Sequence, residues 1–81
     1  MRYGNIEFRW SDCNKKYELI RWFEDQHGFK PPWCTVIAFF QKDKEGYNMV
    51  TVGNRFFEDE DAWLVGKHAL GFLQDVFKLE D

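Results

Sequence analysis

Serine, histidine and cysteine are scarce in this chain of 81 residues. Ser11 is the single serine, and the two histidines and two cysteines stand apart from one another. Zinc sites use closely spaced ligand pairs, and serine hydrolases use a Gly-x-Ser-x-Gly turn, so neither kind of site is expected. No glycine-rich phosphate loop and no calcium-binding loop pattern occurs either. We therefore expect a protein that is not an enzyme and that holds no metal and no cofactor.

Long apolar runs are also absent. The longest unbroken one, Val36 to Phe40, is far shorter than the roughly 20 residues that a membrane span needs. The N-terminal residues lack the apolar stretch of a signal peptide. Cys13 and Cys34 have no cysteine framework around them, which is typical of unpaired thiols in a reducing compartment. These features predict a cytoplasmic protein without a membrane segment.

Apolar and aromatic residues, by contrast, are plentiful. They make up 44% and 20% of the chain, enough for the hydrophobic core of one domain spanning residues 1–81. The charge is unevenly placed: residues 1–57 carry nine Lys or Arg against seven acids, whereas residues 58–81 carry seven acids against two Lys. One end of the folded domain is therefore expected to be acidic.

The first half of the chain shows a strand pattern followed by a segment without glycine or proline. Polar and apolar residues alternate over Asn5 to Trp10, which predicts a half-buried strand. Polar side chains that can cap a helix follow, so a helix is predicted over Asp12 to His27, with Gly28 as its stop.

The second half of the chain predicts a hairpin and a long helix. Strands are expected at Cys34 to Phe40 and Tyr47 to Val52, joined by a polar turn, with a short further strand at Arg55 to Phe57. A helix is predicted from about Asp59 to Leu79. The predicted fold is an α+β two-layer domain: an antiparallel sheet of three to four strands with two helices on one face, in the order β-α-β-β-(β)-α.

The apolar face of the last predicted helix is wider than one sheet needs. Its central stripe comprises Ala62, Val65, Gly66, Ala69, Phe72, Leu73 and Val76. Trp63, Leu70 and Phe77 recur every seven residues along one flank of that stripe. This flank either nests in a curved sheet or forms a homodimer or partner interface. Gly66 lies on the core side, where it allows the helix backbone to approach the sheet closely.

Two further features are candidates for partner binding. Trp22 lies away from the apolar stripe of the first predicted helix, so it is either an exposed anchor or covered by the loop of residues 29–33. The four consecutive acids Glu58, Asp59, Glu60 and Asp61 stand at the start of the last helix. Acids there interact favourably with the helix dipole, and Asp59 is a suitable N-cap. One acid is enough for a cap, so the surplus marks this end of the domain for a basic partner.

The resulting hypothesis is a small acidic protein-interaction module that engages a basic surface of a larger partner. Its predicted contact residues are Glu58, Asp59, Glu60, Asp61, Trp22, Trp63 and Leu70. In size and charge it is analogous to small acidic inhibitors from phages and mobile elements, and its acids would stand in for phosphates if the partner is a nucleic-acid enzyme. One alternative is a nucleic-acid-binding module that uses Lys and Arg with exposed tryptophans. Another is a homo-oligomeric accessory or structural protein held by Trp63, Leu70 and Phe77.

Overall fold

The computed structural model describes residues 1–80 and contains one antiparallel sheet and one long helix. The strands are β1 (Arg2–Tyr3), β2 (Ile6–Ser11), β3 (Lys16–Phe23), β4 (Trp33–Asp43) and β5 (Gly46–Thr51). They are followed by a short 3₁₀ helix (Arg55–Glu58) and by the helix α1 (Glu60–Glu80). Neighbours in sequence are neighbours in the sheet, whose order is β1-β2-β3-β4-β5. The α+β class is confirmed, but residues 1–80 form a sheet of five strands, where three to four are predicted, and one α-helix, where two are predicted.

The predicted helix from Asp12 to His27 is wrong. Residues 12–15 form a tight turn, in which the Asn14 N–H donates to Ser11 Oγ at 3.2 Å and Lys15 has a φ of 56°. The chain then continues as β3, whose aromatic and β-branched residues favour a strand. Ser11 therefore closes a hairpin turn, where a serine side chain is as suitable as at a helix N-cap.

The short strand predicted at Arg55 to Phe57 is also wrong, because these residues form the 3₁₀ helix that leads into α1. The two strands of the predicted β4–β5 hairpin are confirmed, although β4 is longer than expected. The predicted last helix is confirmed to within one residue at each end. Within the described residues 1–80, no helix is both long and apolar enough to cross a membrane.

The core lies between α1 and one face of the sheet. The sheet contributes buried side chains from its three central strands, β2, β3 and β4, chiefly Ile6, Phe8, Leu19, Ile37, Ala38 and Phe40. The helix contributes Ala62, Val65, Ala69 and Leu73, which confirms most of the predicted stripe. Phe72 departs from it: the residue is 54% exposed, and its ring and that of Phe8 are arranged edge to face with centroids 6.4 Å apart.

Gly66 is the point of closest approach between helix and sheet, as predicted. A Cβ atom at this position would lie 3.1 Å from both Leu19 Cδ1 and Met49 Sδ, and 3.3 Å from a ring carbon of Phe56. These separations are tighter than ordinary van der Waals contact. The missing side chain therefore lets α1 settle on β3 and β5 together.

Gln74 of α1 closes part of the outer edge of β5. Its Nε2 donates to the Tyr47 carbonyl at 2.7 Å, and its Oε1 accepts from the Tyr47 N–H at 3.1 Å. The side-chain amide thus pairs with the strand as a neighbouring strand would. Gly46 has no Cβ, and any Cβ there would overlap the Gln74 amide oxygen.

Candidate functional site

The acidic run at the start of α1 begins with a helix cap. Asp59 has extended backbone angles, and its Oδ1 accepts a hydrogen bond from the Asp61 N–H at 2.9 Å. Its carbonyl also accepts from the Ala62 N–H at 3.1 Å, the first bond of the helix. The predicted role of Asp59 as N-cap is confirmed.

Asp59 also ties the helix to the sheet. Its Oδ2 accepts a hydrogen bond from the Arg21 guanidinium, and both side chains of this ion pair are largely shielded from water. Asp61, next along, is half-buried, and its Oδ2 lies close to Gly4, where a Cβ would be only 2.8 Å away. Asp59 thus has bonded partners in the fold and Asp61 is half-buried beside Gly4, whereas Glu58 and Glu60 are exposed.

Three apolar side chains surround these two exposed acids. Phe57 is 71% exposed, Trp63 is 62% exposed and Leu64 is more than two-fifths exposed. Together with the acids they line a shallow groove at the start of α1. We call this surface the acidic aromatic patch, defined as Phe57, Glu58, Glu60, Trp63 and Leu64.

Phe56 fixes the patch to the core. It is buried to 4% exposure beneath the 3₁₀ helix, and its ring meets Phe57 edge to face with centroids 5.3 Å apart. Consecutive phenylalanines thus point in opposite senses, one into the core and one into solvent. Phe57 was expected only to end a strand, although its position beside a buried phenylalanine already indicated that one ring would face outward.

The structural role of Asp59 gives a first testable expectation. Replacing Asp59 with Ala removes the cap and one partner of the Arg21 ion pair, so the free energy of unfolding should fall by about 1 to 2 kcal/mol. Asp59→Asn retains a capping oxygen and should cost less than Asp59→Ala. Urea unfolding of the two variants measures the difference. Equal losses in both would show that the cap contributes nothing.

Trp22 lies elsewhere, on the face of the sheet opposite α1. Its Nε1–H donates to Glu7 Oε1 at 2.8 Å, and the Arg2 guanidinium lies 5.4 Å from its ring centroid. Glu7 alternates along β2 with the core residues Ile6 and Phe8, so it and Trp22 face away from the helix. Trp22 is half-buried and does not join the patch. The prediction that Trp22 lies on a helix is wrong, because the residue belongs to β3.

Leu70 lines a second groove, between α1 and the outer edge of β5. The groove extends from Trp63 past Gly66 and Leu70 to Gln74, with Met49 of β5 on the other side. We call it the β5 groove. Phe77, further along the same flank of the helix, is half-buried against Tyr47, with ring centroids 6.4 Å apart. Trp63 borders both the patch and the groove.

The titratable side chains of residues 1–80 form no group of three or more that could hold a metal ion. Cys13 and Cys34 are unpaired thiols, as predicted. Cys34 is half-buried on β4, where its sulfur lies 4.0 Å from a guanidinium nitrogen of Arg9.

Comparison of the chain with protein-family models, with curated protein sequences and with solved structures gave no match. Function is therefore inferred from the geometry of the patch and its surroundings.

Proposed function

We propose that this chain is a small, non-enzymatic, cytoplasmic interaction module whose acidic aromatic patch binds a basic surface of a larger protein. The observation that supports this most directly is that Phe57 and Trp63 are both largely exposed beside Glu58 and Glu60. Within the described residues, neither glutamate forms an ion pair. An apolar centre with uncompensated charge at its rim is typical of a protein-binding surface.

The two parts of the patch have separate physical roles. Burial of an exposed phenylalanine side chain contributes about 1.5 to 3 kcal/mol, so Phe57 and Trp63 would supply most of the affinity. Glu58 and Glu60 would instead orient the partner and raise its association rate, because charges at an interface rim act mainly through long-range steering. The partner is therefore expected to present Lys or Arg around an apolar pocket.

An inhibitor would use the same arrangement. If the partner is an enzyme that binds nucleic acid, the carboxylates of Glu58 and Glu60 would occupy positions that phosphates normally fill. The net negative charge of the chain is concentrated in residues 58–81. This distribution supports binding through the end of the domain that carries the patch.

Charge reversal tests the proposal once a partner has been isolated by affinity capture from source cells. Glu60→Lys should weaken binding by at least about tenfold, mainly through the association rate, whereas Glu45→Lys should leave it unchanged. Glu45 is a matched control, since it is an exposed acid in the β4–β5 turn beside the far end of α1. Calorimetric titration at low and moderate salt should also show weaker binding at the higher ionic strength. The proposal would be refuted if Glu60→Lys and Glu45→Lys changed the affinity equally. It would also be refuted if the affinity did not depend on the salt concentration.

Nucleic-acid binding is the second candidate, because the sheet face opposite α1 combines aromatic rings with cations. The Lys16 ammonium lies 4.4 Å from the Phe39 ring centroid, and Arg2 covers Trp22. Aromatic rings flanked by cations can bind single-stranded nucleic acid. The carboxylates of Glu7 and Glu18 share this face and repel phosphate, so we rank this function second.

A further inference from the structure

The outer edge of β5 presents backbone groups that lack a neighbour. Gln74 pairs with the N–H and C=O of Tyr47, which shows that this residue's backbone points away from β4. Alternate residues of a strand point the same way, so the backbone groups of Met49 and Thr51 also point outward. The hydrogen bond from the Val52 N–H to the Ile37 carbonyl, at 2.9 Å, agrees with this alternation. No group among residues 1–80 covers Met49 and Thr51 as Gln74 covers Tyr47.

This edge also lacks the usual protection against pairing with another strand. Residues 46–51 contain no proline and no charged residue. Exposed edges are commonly protected by a lysine, a proline or a bulge, or by a covering element. In the part of the chain that the structure describes, the Gln74 side chain alone covers this edge, and it protects only the beginning of the strand.

The β5 groove beside this edge is apolar and nearly neutral. Among the described residues that line it, Lys67 is the one that is charged, and Leu70, Trp63 and Met49 supply its apolar surface. Gly71 adds no side chain, and a Cβ there would meet nothing within 4 Å. The β5 groove lacks the exposed glutamates of the acidic aromatic patch. A basic partner would therefore not be attracted to it electrostatically.

We propose that a second copy of this chain occupies the β5 groove, with β5 paired antiparallel to β5 of the other copy across a two-fold axis near Val50. In this register Met49 of each copy lies opposite Thr51 of the other, so their outward N–H and C=O groups pair. Gln74 prevents the pairing from extending to Tyr47. The two sheets join into one continuous antiparallel sheet.

The helices support the same symmetry. Contacts at both Gly66–Met49 and Gln74–Tyr47 show that α1 runs opposite in direction to β5 along the edge. A two-fold axis near Val50 therefore brings the two α1 flanks together in antiparallel orientation, with Trp63 of one copy facing Leu70 of the other. Such an interface is self-complementary, as two-fold symmetry requires. Trp63 belongs to both this interface and the acidic aromatic patch, whereas Phe57, Glu58 and Glu60 stay outside the interface. The dimer therefore does not depend on the proposed function, although it would cover one side chain of the patch.

Sedimentation velocity over a wide concentration series tests the dimer. The chain should sediment as a dimer at high concentration, and Thr51→Pro, which removes one outward N–H donor without removing a bond to β4, should raise the dimer dissociation constant by roughly tenfold or more. Glu60→Lys should leave that constant unchanged, which separates this interface from the patch. A monomer at every concentration, or a dimer that Thr51→Pro leaves intact, would overturn the proposal.

If Thr51→Pro fails to fold, amide hydrogen exchange of the unmodified chain tests the same interface. The amides of Met49 and Thr51 should be protected in concentrated samples and should lose protection on dilution, whereas the Tyr47 amide, which Gln74 binds, should stay protected throughout. Rapid exchange at Met49 and Thr51 in samples that sediment as dimers would place the dimer interface elsewhere and contradict the proposal.

Discussion

Replacing Phe56 with alanine is expected to lower the free energy of unfolding by about 3 to 5 kcal/mol, whereas the same change at Phe57 should alter it by less than about 0.5 kcal/mol. Phe56 is buried against Gly66 in the core, and Phe57 projects into solvent. An 81-residue domain has only a modest total stability, so Phe56→Ala should leave a large unfolded fraction at room temperature. Urea unfolding monitored by tryptophan fluorescence measures both values.

The same pair of variants separates folding from binding. Phe57→Ala should weaken partner binding by at least about tenfold while the domain stays folded, because the substitution removes an apolar contact of the patch. Met49→Leu is a suitable control, since it conserves volume and lies outside the patch. If Phe57→Ala bound the partner as tightly as the unmodified chain, Phe57 would have no role as an anchor.

Leucine in place of Gly66 is expected to lower the free energy of unfolding by about 2 to 3 kcal/mol. The added side chain would collide with Leu19, Met49 and Phe56, which already lie within 3.3 Å of the position of a Cβ. The better helix propensity of leucine offsets roughly 1 kcal/mol of the overlap, but the helix would still have to move away from the sheet.

Gly71 provides the matched control on the same helix. Its position is exposed and a Cβ there meets nothing within 4 Å, so Gly71→Ala should stabilise the domain by about 0.5 to 1 kcal/mol. Thermal unfolding by circular dichroism compares the two variants. A stabilising effect of Gly66→Leu would mean that α1 does not pack closely on β3 and β5.

The regular patterns in the sequence predicted the second half of the fold well. The period of apolar residues in α1, and the apolar run followed by a polar turn in the β4–β5 hairpin, each depend on local geometry, which a sequence displays directly. The sequence predicts a helix over Asp12 to His27 because capping side chains are followed by a segment without glycine or proline. A strand also tolerates that composition, and Leu19 and Ile20 are buried on opposite faces of the sheet, so the segment shows no simple alternation.

The site was predicted in part. The acidic run and Trp63 were correctly placed together at the start of α1, because they are close in sequence and their positions follow from the helix. The prediction for Trp22 is wrong, because the segment predicted to be a helix forms β3. The Arg21–Asp59 ion pair was not foreseen, since it joins residues 38 positions apart and depends on how α1 crosses the sheet. That contact changes the interpretation of the acidic run, because it gives Asp59 a structural role, whereas Glu58 and Glu60 are exposed.

The most direct test of the patch as the functional surface is photo-crosslinking in an extract of source cells. Benzoylphenylalanine replaces Phe57 in one variant, and Phe29 or Trp22 in two others. Phe29 matches Phe57 in exposure, at 87% against 71%, but lies in the β3–β4 loop. We predict an adduct with a basic protein from position 57 and none from positions 29 or 22. A nucleic-acid adduct from position 22, or equal protein adducts from positions 57 and 29, would contradict the proposed function.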